Sequence, residues 1–383
     1  MTRAHSFSSL KGERPSLKAR KRRVTLLKEP AFLYTGKVKL KWTAFPLILV
    51  IALLPQSLWA VGEQMGTFEF SEFSLSPRAR VQEPSTGGFE LRESWIGFEW
   101  KRDESLSGEI SFGTADLVEP AIWYPALTGQ VQMVQATVKA KTPYFDVRAG
   151  LLPIPIGYEG AFPEWEWSLP ETRVRHQRWF TRRDYGVELK AETKPWMTSL
   201  TVYNGESGSN LDQKMWVAGL WRYLNPQGYG LLMTAQVGRT DEKSTTGSLA
   251  STTDFGFQFD PNDSAKFRHG SLAVYRKWKR HLVLLEGGRG EILQGDEKNP
   301  YAWGHLDICA NLGGDLNLLM RYEHSQANTK EESTVMKSTG LGISVSSADR
   351  LSMVTLWANK NTESPERQND EALLIFRLNS NFL

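Results

Sequence analysis

The sequence predicts an all-β fold: an antiparallel transmembrane β-barrel of about 16 strands, with roughly 14 to 18 compatible with the pattern. Three observations predict it. Beyond residue 62 the chain breaks into short segments whose polarity alternates at period two, each bounded by Gly, Pro, Asn, Asp or Ser. Long gaps alternate with short turns between those segments. The chain finishes on an amphipathic strand, with Ala372, Leu374, Phe376, Leu378 and Phe382 on one parity. Alternation sends successive side chains to opposite faces, so one face can meet lipid while the other meets water.

The first 62 residues stand apart. They hold 12 of the 46 Lys and Arg and 2 of the 43 Asp and Glu, which leaves 34 against 41 and a net charge of −7 for the remainder. The basic character therefore belongs to the leader and gives no reason to expect nucleic-acid binding. Lys37, Lys39 and Lys41 precede the apolar run Trp42–Leu54, and small residues follow at Ala60 and Gly62. That order predicts a signal peptide, removed after Ala60 or Gly62. The apolar run, of about 13 residues, is short of the roughly 20 that a spanning helix needs; an uncleaved anchor is the other reading. Residues 1–36 are long for a basic n-region, as expected if translation begins near Val38. Residues 63–383 then form a single barrel.

Composition agrees. A charged fraction of 23% excludes a bundle of membrane helices, while 14 Trp and 32 Gly suit a barrel with aromatic belts. Cys309 is the one cysteine, so no internal disulfide forms; in a strand it reads as a small apolar side chain.

Seventeen segments carry the strand pattern. They begin with Thr67–Leu75, Phe89–Lys101, Ser107–Ala115, Val131–Lys141 and Phe145–Leu152. Asp184–Glu192, Trp196–Asn204, Lys214–Tyr223, Tyr229–Arg239 and Thr252–Asp260 follow, then Lys266–Lys277, His281–Gly290 and Tyr301–Asn311. Asp315–Ser325, Thr334–Val345, Arg350–Asn359 and Asp370–Leu378 complete the set. Bacterial barrels have even strand numbers, so one segment is surplus or partial. In Asp315–Ser325 one face is Leu316, Leu318, Met320 and Tyr322, and the other carries Asn317, Arg321 and Glu323. In Tyr301–Asn311, Trp303, His305 and Asp307 oppose Ala302, Leu306 and Ile308. A wet lumen accepts such charges where a sandwich core would not.

Between Phe145–Leu152 and Asp184–Glu192 lies an excursion, residues 153–183. Within eleven residues it holds Arg173, Arg175, Arg178, Arg182 and Arg183. Guanidinium groups offer a planar fork of donors that suits anionic oxygens. A ladder of them in a constriction would attract anions and pass them on. These five are the candidate pore residues, with Arg148 and Lys190 on the flanking strands as extensions. The bland reading is that such charges meet lipid phosphates or pair locally; Asp146 and Arg148 share a face. Pro153 and Pro155 cannot donate to a ladder and let the chain leave the wall, inward or outward. Trp165, Trp167 and Trp179 read as packing residues of the excursion.

Three motifs in order carry a resemblance. Gly150 through Pro155, Gly157 and Glu159 resembles a Gly…Pro-Phe-Gly-x-Glu strand end, with Ile156 where Phe is usual. Arg182-Arg183-Asp184-Tyr185-Gly186-Val187 resembles the start of the next strand, and Val202-Tyr203-Asn204-Gly205 a Tyr-Asn-Gly strand end. Together they resemble the phosphate-selective porin O/P family, over residues 145–225. The resemblance implies an outer-membrane channel of Gram-negative bacteria, often a homotrimer, conducting small anionic or neutral solutes by passive diffusion. It also implies contact with the lipid bilayer and lipopolysaccharide, and assembly by the barrel-assembly machinery through the C-terminal strand. No cofactor, metal or nucleic acid is implied.

The second reading is a non-conducting structural or adhesive barrel. An enzyme is not expected: His176, His269, His281, His305 and His324 show no paired metal spacing, and no Gly-x-Ser-x-Gly elbow occurs. The face shared by His305 and Asp307 is the thin candidate for lipid-modifying chemistry.

Overall fold

The computed structural model describes residues 67–82, 86–118, 131–162, 169–205, 215–240, 264–331, 334–347, 352–363 and 370–381. Its wall begins with β1 (Thr67–Leu75, continuing as Pro77–Gln82) and β2 (Thr86–Leu91, continuing as Trp95–Lys101). Next come β3 (Leu106–Thr114), β4 (Val131–Lys141), β5 (Asp146–Pro153), β6 (Arg183–Thr193) and β7 (Trp196–Tyr203). Then follow β8 (Trp216–Leu224), β9 (Tyr229–Thr240), β10 (Ala265–Trp278), β11 (His281–Gln294) and β12 (Glu297–Gly313). The last are β13 (Leu316–Gln326), β14 (Val335–Ser346), β15 (Ser352–Glu363) and β16 (Glu371–Asn381).

Each strand pairs antiparallel with the next, and β1 pairs with β16, so the sheet closes on itself as a 16-stranded barrel. The first two strands are each interrupted once. β1 runs along β16 in one register on both sides of Ser76, from Glu72 opposite Asn381 to Arg78 opposite Ile375. Pro77 cannot donate to the ladder, and Ser76 instead donates its N–H to the Ser94 hydroxyl at 2.8 Å. β2 breaks at the same level, where Glu93 adopts φ 47°.

Thr252–Asp260 of the sequence reading lies outside the described residues. β9 pairs directly with β10, from Tyr229 opposite Arg276 to Thr240 opposite Ala265. The other sixteen segments match the strands to within a few residues at their ends, apart from the first two. There the sequence reading caught one half of β1 and most of β2.

The two faces divide as the alternation requires. Outward stand Leu341, Ile343 and Val345 on β14 and Val354 and Leu356 on β15, all exposed; between them Ser338, Ser344 and Thr355 turn inward and are buried. A continuous exposed apolar wall is costly in water and favourable in hydrocarbon. At the end with the short turns, aromatics gather on the outside. Trp196 lies 5.1 Å from Trp221 and 4.5 Å from Tyr223, centroid to centroid. The Arg276 guanidinium sits over Tyr229 and Trp278 at 4.6 and 4.7 Å. Amphipathic rings of this kind belong at a membrane–water boundary. Cys309 is buried on the inner face, as a small side chain of the packed lumen.

Candidate functional site: the lumen and its constriction

The excursion between β5 and β6 folds into the lumen. It leaves the wall at Pro153, directly opposite Arg183, and returns there. Ile154 still donates to the Arg182 carbonyl at 2.9 Å, so the two legs start as a continued ladder. A short helix, α1 (Gly157–Ala161), follows, and a second turn, α2 (Arg173–His176), stands near the return. From these two turns the chain reaches inward-facing side chains of distant strands. Gly157 donates its N–H to Thr234 on β9 at 3.1 Å, and Tyr158 donates to the Glu286 carboxylate on β11 at 3.0 Å. Arg173 donates its backbone N–H to Glu323 on β13 at 2.8 Å, while its side chain pairs with Glu363 on β15. In a ring of 16 strands β13 stands opposite β5, so the excursion crosses the bore.

Apolar contacts follow the same path. Tyr158 and Phe162 pack edge-on against Tyr275 of β10 at 5.3 and 5.8 Å. Trp179 meets Tyr301 at 5.9 Å and Phe180 meets Trp303 at 5.7 Å. Trp179 is fully buried and packs as the sequence suggested; Trp165 and Trp167 lie outside the described residues. Aromatic pairs of this geometry contribute about 0.5–1.5 kcal/mol each beyond the area they bury.

Two cavities flank the crossing. The larger, about 540 Å³, opens between the excursion and β1–β8. Glu72, Glu99 and Glu109, on β1, β2 and β3, line one side of it; Arg148, Lys190 and Arg222, on β5, β6 and β8, line the other, with Arg175, Arg183 and Glu159 from the excursion and its return. Glu99 and Glu109 are direct cross-strand neighbours, offset by Lys101, which pairs with Glu99 at 2.8 Å, and by Gln135, which donates to Glu109 at 2.6 Å. On the basic side Arg148 pairs with Glu188 at 2.9 Å and Lys190 with Glu192 at 2.9 Å. Asp146 turns to Lys139 at 2.8 Å rather than to Arg148. The smaller cavity, about 210 Å³, takes in Arg173, Arg78, Arg80 and Glu171.

The predicted arginines thus separate. Arg175, Arg183, Arg148 and Lys190 line the larger cavity and Arg173 the smaller. Arg178 sits half-buried in the left-handed region at φ 58°. Arg182 is buried in an ionic knot: it pairs with Glu171 and lies 3.7 Å from Asp116, while Arg92 and Arg175 approach Glu171 at 3.6 and 3.9 Å. Burial would raise the Glu171 carboxyl, but Arg182 and Arg92, with a hydrogen bond to His176, hold it well below the usual carboxylate range.

The motif residues have local reasons. At Gly150, φ is 128° and a Cβ would meet the Ala136 carbonyl at 1.9 Å. Gly157, at φ 69°, starts α1 against the Glu286 carboxylate. Pro155 lines the larger cavity. Glu159 accepts from the Thr172 N–H at 2.8 Å and hydroxyl at 2.6 Å, with Arg321 at 3.6 Å. Its burial pushes the carboxyl up to about 7, against the pull of Arg321 and Arg175. Asp184 is buried and accepts from the Tyr185 N–H at 2.7 Å. Gly186 lets β6 lie against Tyr203, Asn204 donates to the Tyr185 carbonyl at 3.0 Å, and Gly205 leaves room for the Trp216 ring.

Several residues of the site went unread in the sequence. Glu171, Glu286, Glu363 and Arg222 had no motif to mark them. Asp307, Arg321 and Glu323 were placed on an inward face by parity, but nothing local named the loop they grip. His305 stands beside these groups, 3.7 Å from Glu286 and 3.8 Å from Asp307.

No protein-family model matches the chain, and no curated protein does. Solved structures do. OmpT in its trimer form, an outer membrane protein of Vibrio cholerae, aligns with a TM-score of 0.56 at 12% identity, over 83% of this chain and 100% of its own. An anion-selective porin from Comamonas acidovorans gives 0.54 at 10% identity, over 82% and 99%. OmpF of Salmonella typhi, in complex with daunomycin, gives 0.53 at 11% identity, over 82% and 98%. At these identities the likeness is one of fold. Apolar outside, charged inside and crossed by the inward excursion, the described barrel has the fold of the bacterial outer-membrane porins.

Proposed function

We propose that the chain is a porin of the bacterial outer membrane, a passive diffusion channel for small hydrophilic solutes whose constriction is the inward excursion. One observation carries the reading. The excursion is fastened across the bore and leaves beside it a cavity of about 540 Å³ with an acidic strip facing a basic one. Two strips of opposite sign set up a field across the passage, which polar solutes enter without a desolvation barrier.

The preference for anions is the finer part of the proposal. Arg148 on β5, Lys190 on β6 and Arg222 on β8 line one side of the cavity, sharing the carboxylates of Glu188 and Glu192, and the resemblance of Gly150–Glu159 to phosphate-selective porins supports the same direction. Arg182, held in the knot with Glu171, contributes position rather than selectivity. The reading needs export, which the stretch Lys37–Gly62 would provide, and assembly through β16. It includes a homotrimer, supported by the outward faces of β16 and β1–β5. In their described residues these carry no charged side chain, and they expose Val81 and Phe89. It includes no catalysis: Asp307 is engaged by Arg321, which also holds the excursion at the Pro170 carbonyl.

The test is the reversal potential of purified protein in a planar bilayer across a KCl gradient. The expected result is a chloride-selective potential that moves toward cations when Arg148, Lys190 and Arg222 are all changed to Gln. A cation-selective wild type would keep the channel and remove the anion path. Folded protein without channels would make this a structural barrel.

A further inference from the structure

The lumen is not polar along its whole length. Toward the short turns the inward faces of the wall carry an apolar cluster: Met197 on β7, Leu220 on β8, Leu232 on β9, Tyr275 on β10, and Leu282 and Leu284 on β11, all buried. A bore built only for water and salt has polar side chains there. Tyr158 of α1 and Phe162 just beyond it pack on the same cluster. Phe162, Met197 and Leu220 also line the larger cavity, so the cluster presents an apolar edge to the passage.

A cation stands at that edge. Arg222 is two residues from Leu220 on the same face of β8, and it stands opposite Met197 in the ladder with β7. Its guanidinium lies over the Phe162 ring, 5.4 Å from the centroid. It gives Nη2 to Glu192 at 3.3 Å, and Lys190 meets the other oxygen of that carboxylate at 2.9 Å. Two cations on one carboxylate leave one positive charge over. Arg222 and Lys190 both line the cavity.

We infer that the short-turn end of the larger cavity is a subsite for amphipathic monocarboxylates, in which one carboxylate is carried on a short hydrocarbon body. Arg222 is the anchor. A carboxylate takes paired donors from a guanidinium, and whatever it is attached to then lies against Met197, Leu220 and Phe162. Removal of that hydrocarbon from water is a contribution that inorganic anions do not make. Neutral solutes gain nothing from the surplus charge, and a second carboxylate would face Glu72, Glu99 and Glu109 across the cavity. Glu192 competes for the same two cations, which keeps the site weak enough for a solute to leave. The inference rests on the porin reading, whose solute class it narrows.

The experiment is single-channel recording of the purified full chain in KCl, with potassium acetate or potassium hexanoate titrated into both chambers. Hexanoate should halve the channel conductance at about one-tenth of the acetate concentration or less, since each methylene fully removed from water adds about fourfold. Hexylammonium chloride, with the same body and the opposite charge, should not block in that range. Arg222→Gln should remove the block by hexanoate. Leu220→Thr/Met197→Thr should bring hexanoate back toward acetate, with heat-modifiable gel mobility reporting an intact barrel. If that double variant does not fold, Met197→Thr alone should show a smaller loss in the same direction. Acetate and hexanoate acting alike, hexylammonium acting as hexanoate does, or a folded Arg222→Gln blocked like the wild type would each overturn the inference and leave the channel standing. Folded protein without channels would overturn the porin reading and this one with it.

Discussion

Arg321 on β13 grips Asp307 on β12 through two hydrogen bonds of 2.6 Å, and its remaining nitrogen reaches the Pro170 carbonyl of the excursion. One guanidinium so ties two wall strands to the loop that crosses the bore. Arg321→Met leaves Asp307 buried without its partner, a loss of about 3–5 kcal/mol, and releases the middle of the excursion. Single-channel conductance should rise and become noisier while heat-modifiable mobility persists. Conductance equal to wild type would mean that the excursion is held well enough without Arg321.

Glu159 gives the pH dependence. Its carboxyl is raised from 4.5 to about 7 by burial, so the folded barrel favours the neutral form. The sign follows: the contribution to stability is complete below pH 4.5 and is lost as pH rises through 7. Arg321, Arg175, Glu171 and Thr172 are the groups that face it. The urea midpoint of the wild type should fall between pH 5 and pH 8 (about 5 and about 8 bracket the change), and Glu159→Gln should flatten that fall. A midpoint slope unchanged in Glu159→Gln would assign the pH response elsewhere.

Gly150 and Gly219 form a matched pair. Gly150 has φ 128° with the Ala136 carbonyl 1.9 Å from a would-be Cβ, whereas at Gly219 nothing lies within 4 Å. Gly150→Ala should cost at least about 1–3 kcal/mol and lower the yield of folded barrel. Gly219→Ala should fold as the wild type does. Refolding yield into detergent micelles compares the two.

Arg182 tests the division between structure and selectivity. Arg182→Gln deprives the buried Glu171 of one partner while Arg92 and Arg175 stay within 4.0 Å. The expected cost is about 1–3 kcal/mol, with a reversal potential moved less than by Arg148→Gln. A larger shift from Arg182→Gln would make the knot itself part of the ion path.

Phe89 tests subunit contact. It is 94% exposed on the uncharged sector. Phe89→Arg should reduce the proposed trimer to monomers in mild detergent, seen by light scattering, without loss of the barrel. Trimers that persist would place the contact on another sector.

Much of this protein was determined by its sequence alone, because a strand's side-chain period is local. Parity sent Arg321 and Glu323 inward and Leu318 and Met320 outward without knowledge of any neighbour. The spacing of turn residues gave sixteen of the strands, and the terminal run Ala372–Leu378 marked the closing one. The break of β1 at Ser76–Pro77 was legible only in part, since the continuing register with β16 is a property of the pair. What the excursion does was decided by tertiary structure. Arg182 and Arg148 have the same formal charge, and the sequence offered both as pore residues. One faces Glu171 in a dry knot and the other lines a wet cavity, and that difference comes from residues far apart in sequence. Glu286, 128 positions from the Tyr158 N–H it accepts, carries no local sign of that role. The direction of the loop was fixed by such partners on the far wall, because a buried backbone donor must find an acceptor wherever the fold supplies one.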